Sequence, residues 1–269
     1  MRVASILSVG LAVLLAACGS DVGGGDKGDD YSASVKLGDE ARKAGDLDSA
    51  IPLYMRALQD RPEGIAAKLG LGQSYLAIGA PDEAAAMFRD VLRIDRDDQA
   101  ARRGLALAMI ATGQAELALR QLEAAVADAP HDARTLNASG VVLDMLGRHA
   151  EAQVRYRHGI ELAPADIALR SNYGLSLAIA GQAQDAVAQL APLAASQGAD
   201  ARVRQNLAFA YAMGGNFEDS LKISRRDLDE ASAQRQLAYF MRLRGLPADV
   251  RSAEMRRNPN FFPQTVGAG

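Results

Sequence analysis

The chain has 269 residues, a formal net charge of −3, and a composition that is 49% hydrophobic with 5% aromatic residues and no Trp. Apolar content of this kind, rich in Ala, suits closely packed helices better than one thick globular core. No broad basic field is available to neutralise phosphates, which excludes a dominant nucleic-acid function; the acidic lean of 21–64 and the arginine-rich stretch at 225–257 read as solvated surface.

In chain order, the first segment is "MRVASILSVGLAVLLAA" at 1–17, with Arg2 and the amino terminus ahead of an apolar run closed by small residues. Its length and layout are those of a secretory signal, and it is too short for a membrane span. The single cysteine, Cys18, follows at once and leaves no internal disulfide to form. "LAAC" at 15–18 resembles a bacterial lipobox. The resemblance implies cleavage before Cys18 and lipid on its sulfur and amine, and several acyl chains on one residue anchor durably. The alternative is an ordinary signal peptide or a buried thiol. Gly19 rather than Asp comes next, which by the enteric sorting rule points to the periplasmic face of the outer membrane. Residues 19–30, "GSDVGGGDKGDD", have almost nothing to bury. With Cys18 they read as a flexible tether reaching roughly 20 Å.

From Tyr31 the chain divides into frames of 34 residues: 31–64, 65–98, 99–132, 133–166, 167–200 and 201–234. Each carries a glycine at its fifteenth position: Gly45, Gly79, Gly113, Gly147, Gly181 and Gly215. The eighth and twentieth positions are small throughout, as in Gly72 with Ala84 or Gly140 with Ala152. The eleventh and twenty-fourth are mostly large, as in Tyr75 with Phe88 or Leu143 with Tyr156. Apolar residues at helical spacing predict two amphipathic helices per frame, with the glycine as the corner between them. Small residues let the two arms approach, and large ones fill the space between them. Pro62, Pro130 and Pro164 stop second helices, whereas Pro81 fits the first turn of one.

This pattern resembles the tetratricopeptide repeat. The fold expected is all-α, a right-handed α-solenoid of six such repeats over 31–234, because one hairpin cannot bury its apolar stripe alone. A capping helix is expected at 235–246, with Leu237, Tyr239, Phe240 and Leu243 available for packing. The tail at 247–269 reads as disordered, Phe261 and Phe262 being a docking motif on the alternative reading.

No catalytic constellation is legible. Every repeat glycine has its structural reason, Ser139 and Ser176 lack a nucleophile-elbow context, and His131, His149 and His158 have no cysteine to join them in a metal site. No cofactor is implied, and the chain is not read as an enzyme. The resemblance implies instead that first helices line a concave, peptide-binding face. Its ninth frame positions are Asp39, Gln73, Leu107, Val141, Leu175 and Phe209. The last four form an apolar row. Arg103, Asn137, Ser171 and Gln205 stand beside it at the fifth position, and Arg134 and Arg202 at the second. Such a floor suits an extended or helical peptide; alternatively these residues pack within the stack. Asn is absent from the ninth position, so the terminal-carboxylate clamp of chaperone-binding members is not expected.

"VRQNLAFAYAMGGNFEDSLKISRRDL" at 203–228 with "QLAYFMRLRGL" at 236–246 resembles the C-terminal repeat and cap of the TadD-type lipoproteins of tight-adherence (Flp) pilus systems, which are pilotin-like. That resemblance implies a non-enzymatic assembly factor that binds a secretin or another pilus component while lipid at Cys18 holds it to the membrane. The alternative is a scaffold for outer-membrane protein insertion or cell-wall synthesis.

Overall fold

The structure is a computed structural model and describes residues 27–256. The leader at 1–17, Cys18, most of the tether, and the end of the tail with Phe261 and Phe262 lie outside the described residues. Every regular element among the described residues is a helix. Six hairpins pair α1 (Lys27–Lys43) with α2 (Leu47–Asp60), α3 (Ile65–Ala77) with α4 (Pro81–Ile94), and α5 (Gln99–Ala111) with α6 (Ala115–Asp128). They continue with α7 (Ala133–Met145) and α8 (His149–Leu162), α9 (Ile167–Ile179) and α10 (Ala183–Ala195), and α11 (Ala201–Met213) and α12 (Phe217–Ser224). Two further helices follow, α13 (Glu230–Arg244) and α14 (Ala248–Arg256).

The recurring glycine does what its spacing predicts. Gly79 stands at φ 78°, a left-handed conformation, and its five counterparts have φ between 78° and 89°. Around it the Ala80 N–H donates to the Tyr75 carbonyl and the Gly79 N–H to Leu76, the Schellman closure of a helix C-terminus. The opposite ends use carboxylates. Asp98, Asp132, Asp166 and Asp200 each accept a backbone N–H at the start of the following helix. These aspartates share the last frame position, so the 34-residue period carries a second signal that the glycine pattern overshadows.

Large residues at the twenty-fourth position act as knobs. A Cβ on Gly38 would sit 2.9 Å from the Tyr54 ring, and one on Gly72 would sit 2.9 Å from Phe88. The same rings press on Gly70 and Gly104 of the next hairpin. One aromatic ring therefore fills the notch of two successive repeats, and the small residues exist to admit it. The buried core is accordingly a series of clusters along the stack, centred on Tyr54, Phe88, Tyr156 and Phe209.

Three boundaries differ from the sequence reading. Helix α1 already begins at Lys27, inside the expected tether. Helix α13 starts at Glu230 rather than 235, because Asp229 accepts the Ser232 N–H at 2.8 Å and caps it. Residues 248–256, expected to be disordered, form α14, which packs on α7, α9 and α13. Its sequence, ADVRSAEMR, has few apolar residues and no counterpart one period away, so tertiary contact rather than local pattern makes it a helix.

Candidate protein-binding groove

First helices touch one another along the stack, α1 on α3, α3 on α5, α5 on α7, α7 on α9 and α9 on α11, whereas second helices pack on first helices, with α12 also against α13 and His149 at the start of α8 meeting α14. The first helices therefore form the inner layer, the face on which sequence reasoning placed a groove. Along that layer the environment changes sharply. Asp39, Gln73 and Leu107 are half-buried. Val141, Leu175 and Phe209, at the same frame position, are buried. Phe209 is 0% exposed because Phe240 of α13 lies edge-on against it with centroids 5.3 Å apart. Met255 of α14 joins Leu175 and Ile179 in the same buried cluster.

The fifth-position residues have structural partners. The Arg103 guanidinium donates to the Asp132 carboxylate at 2.6 Å and to the Thr135 hydroxyl at 3.3 Å, tying α5 to the start of α7. Burial lowers its pKa, and Asp132 opposes that shift. The Asn137 side-chain oxygen accepts from the Asn172 amide at 2.9 Å, and the Ser171 hydroxyl accepts from Asn206 at 3.0 Å. These two bonds form a polar ladder between successive first helices. Its rungs need a donor at the sixth position of the following frame, Asn172 and Asn206. Sequence reasoning missed them because that position is Gly70, Gly104 and Ala138 in the three frames before. Gln205 and Arg202 remain half-buried at the edge of α11, and Arg202 lies 3.8 Å from Asp200. Arg134 is exposed at the start of α7. The structure thus places the predicted groove residues on one inner layer, but the chain's own C-terminal helices close that layer over the last three repeats. The uncovered stretch lies over the first three, with Gln73 and Leu107 half-buried within it.

A buried polar cluster stands at the border. Asp144 of α7 accepts from the Tyr156 hydroxyl at 3.0 Å and the Ser176 hydroxyl at 2.7 Å, and lies 2.7 Å from His149 Nδ1. His149 Nε2 lies 2.7 Å from the Ser252 hydroxyl of α14. Burial pushes the Asp144 carboxyl above its ordinary range, while hydrogen bonds from His149 and the two hydroxyls oppose that shift. The Tyr156 phenol is likewise raised well above its usual value by burial and by Asp144. Asp, His and Ser in this order have the connectivity of a hydrolytic triad. The geometry gives no catalysis: Ser252 is 0% exposed, and its hydroxyl also bonds the Ala248 carbonyl at 2.7 Å, so it cannot meet a substrate. Sequence reasoning did not connect these residues because Ser252 lies 103 positions from His149.

Among the described residues no group of three or more His, Cys, Asp or Glu is arranged to hold a metal, and no helix is long and apolar enough to cross a membrane. His131 and His158 form an edge-on pair with centroids 6.2 Å apart.

Stacked hairpins of this geometry define an all-helical solenoid, a scaffold suited to protein–protein interaction. Two tetratricopeptide-repeat family models match the sequence, over residues 35–101 and 79–140. Residues 35–140 therefore match the tetratricopeptide repeat. Among solved structures it is similar to a thermophilic TPR protein of Thermus thermophilus, at 22% identity and a TM-score of 0.63, covering 67% of this chain and 98% of that one. It is also similar to pilF of Pseudomonas aeruginosa, at 18% identity and a TM-score of 0.57, covering 86% of this chain and 98% of that one. A third likeness is to the APC/C hetero-tetramer Cut9-Hcn1, at 18% identity and a TM-score of 0.65, covering 80% of this chain and 46% of that one. At these identities the likeness is one of fold. A comparison with curated protein sequences gives no match.

Proposed function

We propose that this chain is a non-enzymatic, lipid-anchored adaptor of the bacterial envelope that assists assembly of a Tad/Flp pilus secretin complex. The observation that carries the binding reading is the uncovered inner layer of the first three repeats, where Gln73 and Leu107 stand half-buried. A partly apolar, partly hydrogen-bonding strip of this kind suits a peptide segment of a protein partner. The envelope reading is supported by the sequence alone: the apolar leader, "LAAC" with Cys18, and the hydrophilic residues after it. The pilus reading rests on the resemblance of residues 203–246 to the C-terminal repeat and cap of TadD-type proteins. A scaffold for outer-membrane protein insertion or cell-wall synthesis is the alternative use of the same surface.

The test is photo-crosslinking in cells from a photoreactive residue at position 73, with the captured protein identified by mass spectrometry. Position 175 is unsuitable, because Leu175 is buried. Capture of a secretin is the expected result. Capture of insertion or cell-wall machinery keeps the adaptor and discards the pilus. The same strain carrying Cys18→Ser should release the protein from the membrane fraction; unchanged sedimentation would refute the anchor.

A further inference from the structure

We propose that α14 is a detachable occupant of the inner layer, held in cis on α7 and α9 where a partner's helix of the same chemistry docks when α14 leaves. This rests on the reading of the inner layer as the protein-binding face.

Helix α14 is attached by side chains rather than by a continuous apolar stripe. Arg251 donates through Nη1 to the Ile179 carbonyl at 2.5 Å, through Nε to Leu243 at 3.1 Å and through Nη2 to Leu246 at 2.9 Å. One guanidinium thereby fastens the C-terminal ends of α9 and α13 together. Ser252 meets His149, and Met255 is 0% exposed in the cluster that holds Leu175 and Ile179. On the outward side Asp249 and Val250 are exposed.

Three features make the attachment reversible. The helix has nine residues, too few to persist on its own, so it stays folded only while docked. It is joined to α13 through Gly245, Leu246 and Pro247, a short link that no helix continues through. The Asp144 cluster beneath it is complete without it. Asp144 keeps its bonds from Tyr156, Ser176 and His149 when α14 departs, while the outer nitrogen of His149 and the Ile179 carbonyl turn from Ser252 and Arg251 to water. A buried carboxylate at this frame position is peculiar to the fourth repeat; its counterparts are Arg42, Leu76, Ile110, Ala178 and Ala212. The fourth repeat therefore has a built polar receptor facing the inner layer, beyond what hairpin packing requires. Its occupant presents a guanidinium, a small hydroxyl one residue later and an unbranched apolar side chain four residues after the guanidinium, all buried against the solenoid. That triplet is the chemistry expected of a partner's docking helix.

The experiment compares the full chain with its Arg251→Glu, Met255→Glu variant, using a fluorescent peptide of residues 246–256 as the probe. The variant, its own helix expelled, should bind the peptide saturably and about tenfold or more tightly than the wild type, with helical circular dichroism retained. Equal binding by both chains, or none by a folded variant, overturns the proposal. Hydrogen exchange on the unmodified chain covers the case in which the variant fails to fold. Amides of α14 should exchange about tenfold faster than those of α13 while α7 and α9 stay slow. Uniform protection of α13 and α14 overturns the proposal equally. Neither readout needs a natural partner, so failure here is distinguishable from failure of the crosslink at position 73.

Discussion

The two halves of the solenoid are built on one frame and end in different states. In the first three repeats the ninth position is Asp39, Gln73 and Leu107, half in solvent; in the last three it is Val141, Leu175 and Phe209, beneath protein. The hairpin geometry is the same throughout, with the glycine corner kept at every repeat. What differs is the cover: α13 and α14 lie over the inner layer of the second half only. A repeat position thus has no fixed role. Its fate depends on whether anything is laid across it, and here the chain supplies its own covering at one end.

The largest break in this comparison is expected from Phe209→Ala. The ring is fully buried against Phe240, and its loss should cost about 3–5 kcal/mol, read as a lower urea midpoint. Gln73→Ala at the equivalent position of the open half should stay within about 0.5 kcal/mol. A similar cost at both sites would mean that the halves do not differ as described.

Next comes the ladder. Asn137→Ala removes the acceptor of the buried Asn172 amide and should cost about 1–3 kcal/mol, because that donor loses its bond across to α7. Gly104→Ala, in the open half, should cost about 1–3 kcal/mol for another reason, since the added methyl would enter the space of the Phe88 ring. Both are measured by denaturant unfolding, and Asn137→Asp, which retains an acceptor, should recover part of the first loss.

The caps set a smaller and even contrast. Asp98→Ala and Asp200→Ala each remove a side chain that accepts an N–H of the following helix, and each should cost about 1 kcal/mol. Unequal values would show that the covering helices also stiffen the helix ends.

The smallest effect is in acid. Glu230 is held down to about 2 from its ordinary 4.5, first by its hydrogen bond from Arg225 and then by Gln234. A lowered carboxylate pKa stabilises the fold above the unfolded value and loses that contribution as pH falls through the folded one. The segment at 225–236 should therefore loosen between pH 4.5 and about 2, followed by amide exchange across that range. Glu63 beside Lys68 is lowered in the same direction in the open half, so its surroundings should respond as well.

The all-helical repeat architecture was legible in the sequence because its causes are local and periodic. A glycine at a left-handed corner, a small residue under a ring, and apolar residues at helical spacing all recur at a fixed step. The placing of first helices on a concave face came from the resemblance to the tetratricopeptide repeat rather than from the period itself. The cover was not legible. Helix α14 has no periodic counterpart and little apolar content, and its hold on the solenoid comes from Arg251 reaching carbonyls as far away as Ile179, 72 positions back. Asp144 and His149 were equally opaque, since a buried pair takes its meaning from Tyr156 of α8 and from Ser176 and Ser252, which two other stretches of the chain contribute. The polar ladder lay between. Asn172 and Asn206 share a frame position, and reading that position against the fifth of the preceding frame would have found it.

The division of the core into successive clusters has a consequence for how such a protein changes over generations. Each knob engages only its own hairpin and the next, as Phe88 engages Gly72 and Gly104. A duplication of residues 65–98 would therefore bring its own packing and find matching neighbours on both sides. The C-terminal cover would be untouched, and the uncovered strip would grow by one unit. Scattering should show the longer particle, and a markedly lower melting temperature would show that the units are less interchangeable than their spacing implies. Reach would then be a heritable length, set by copy number at one end while the other end stays a fixed terminus.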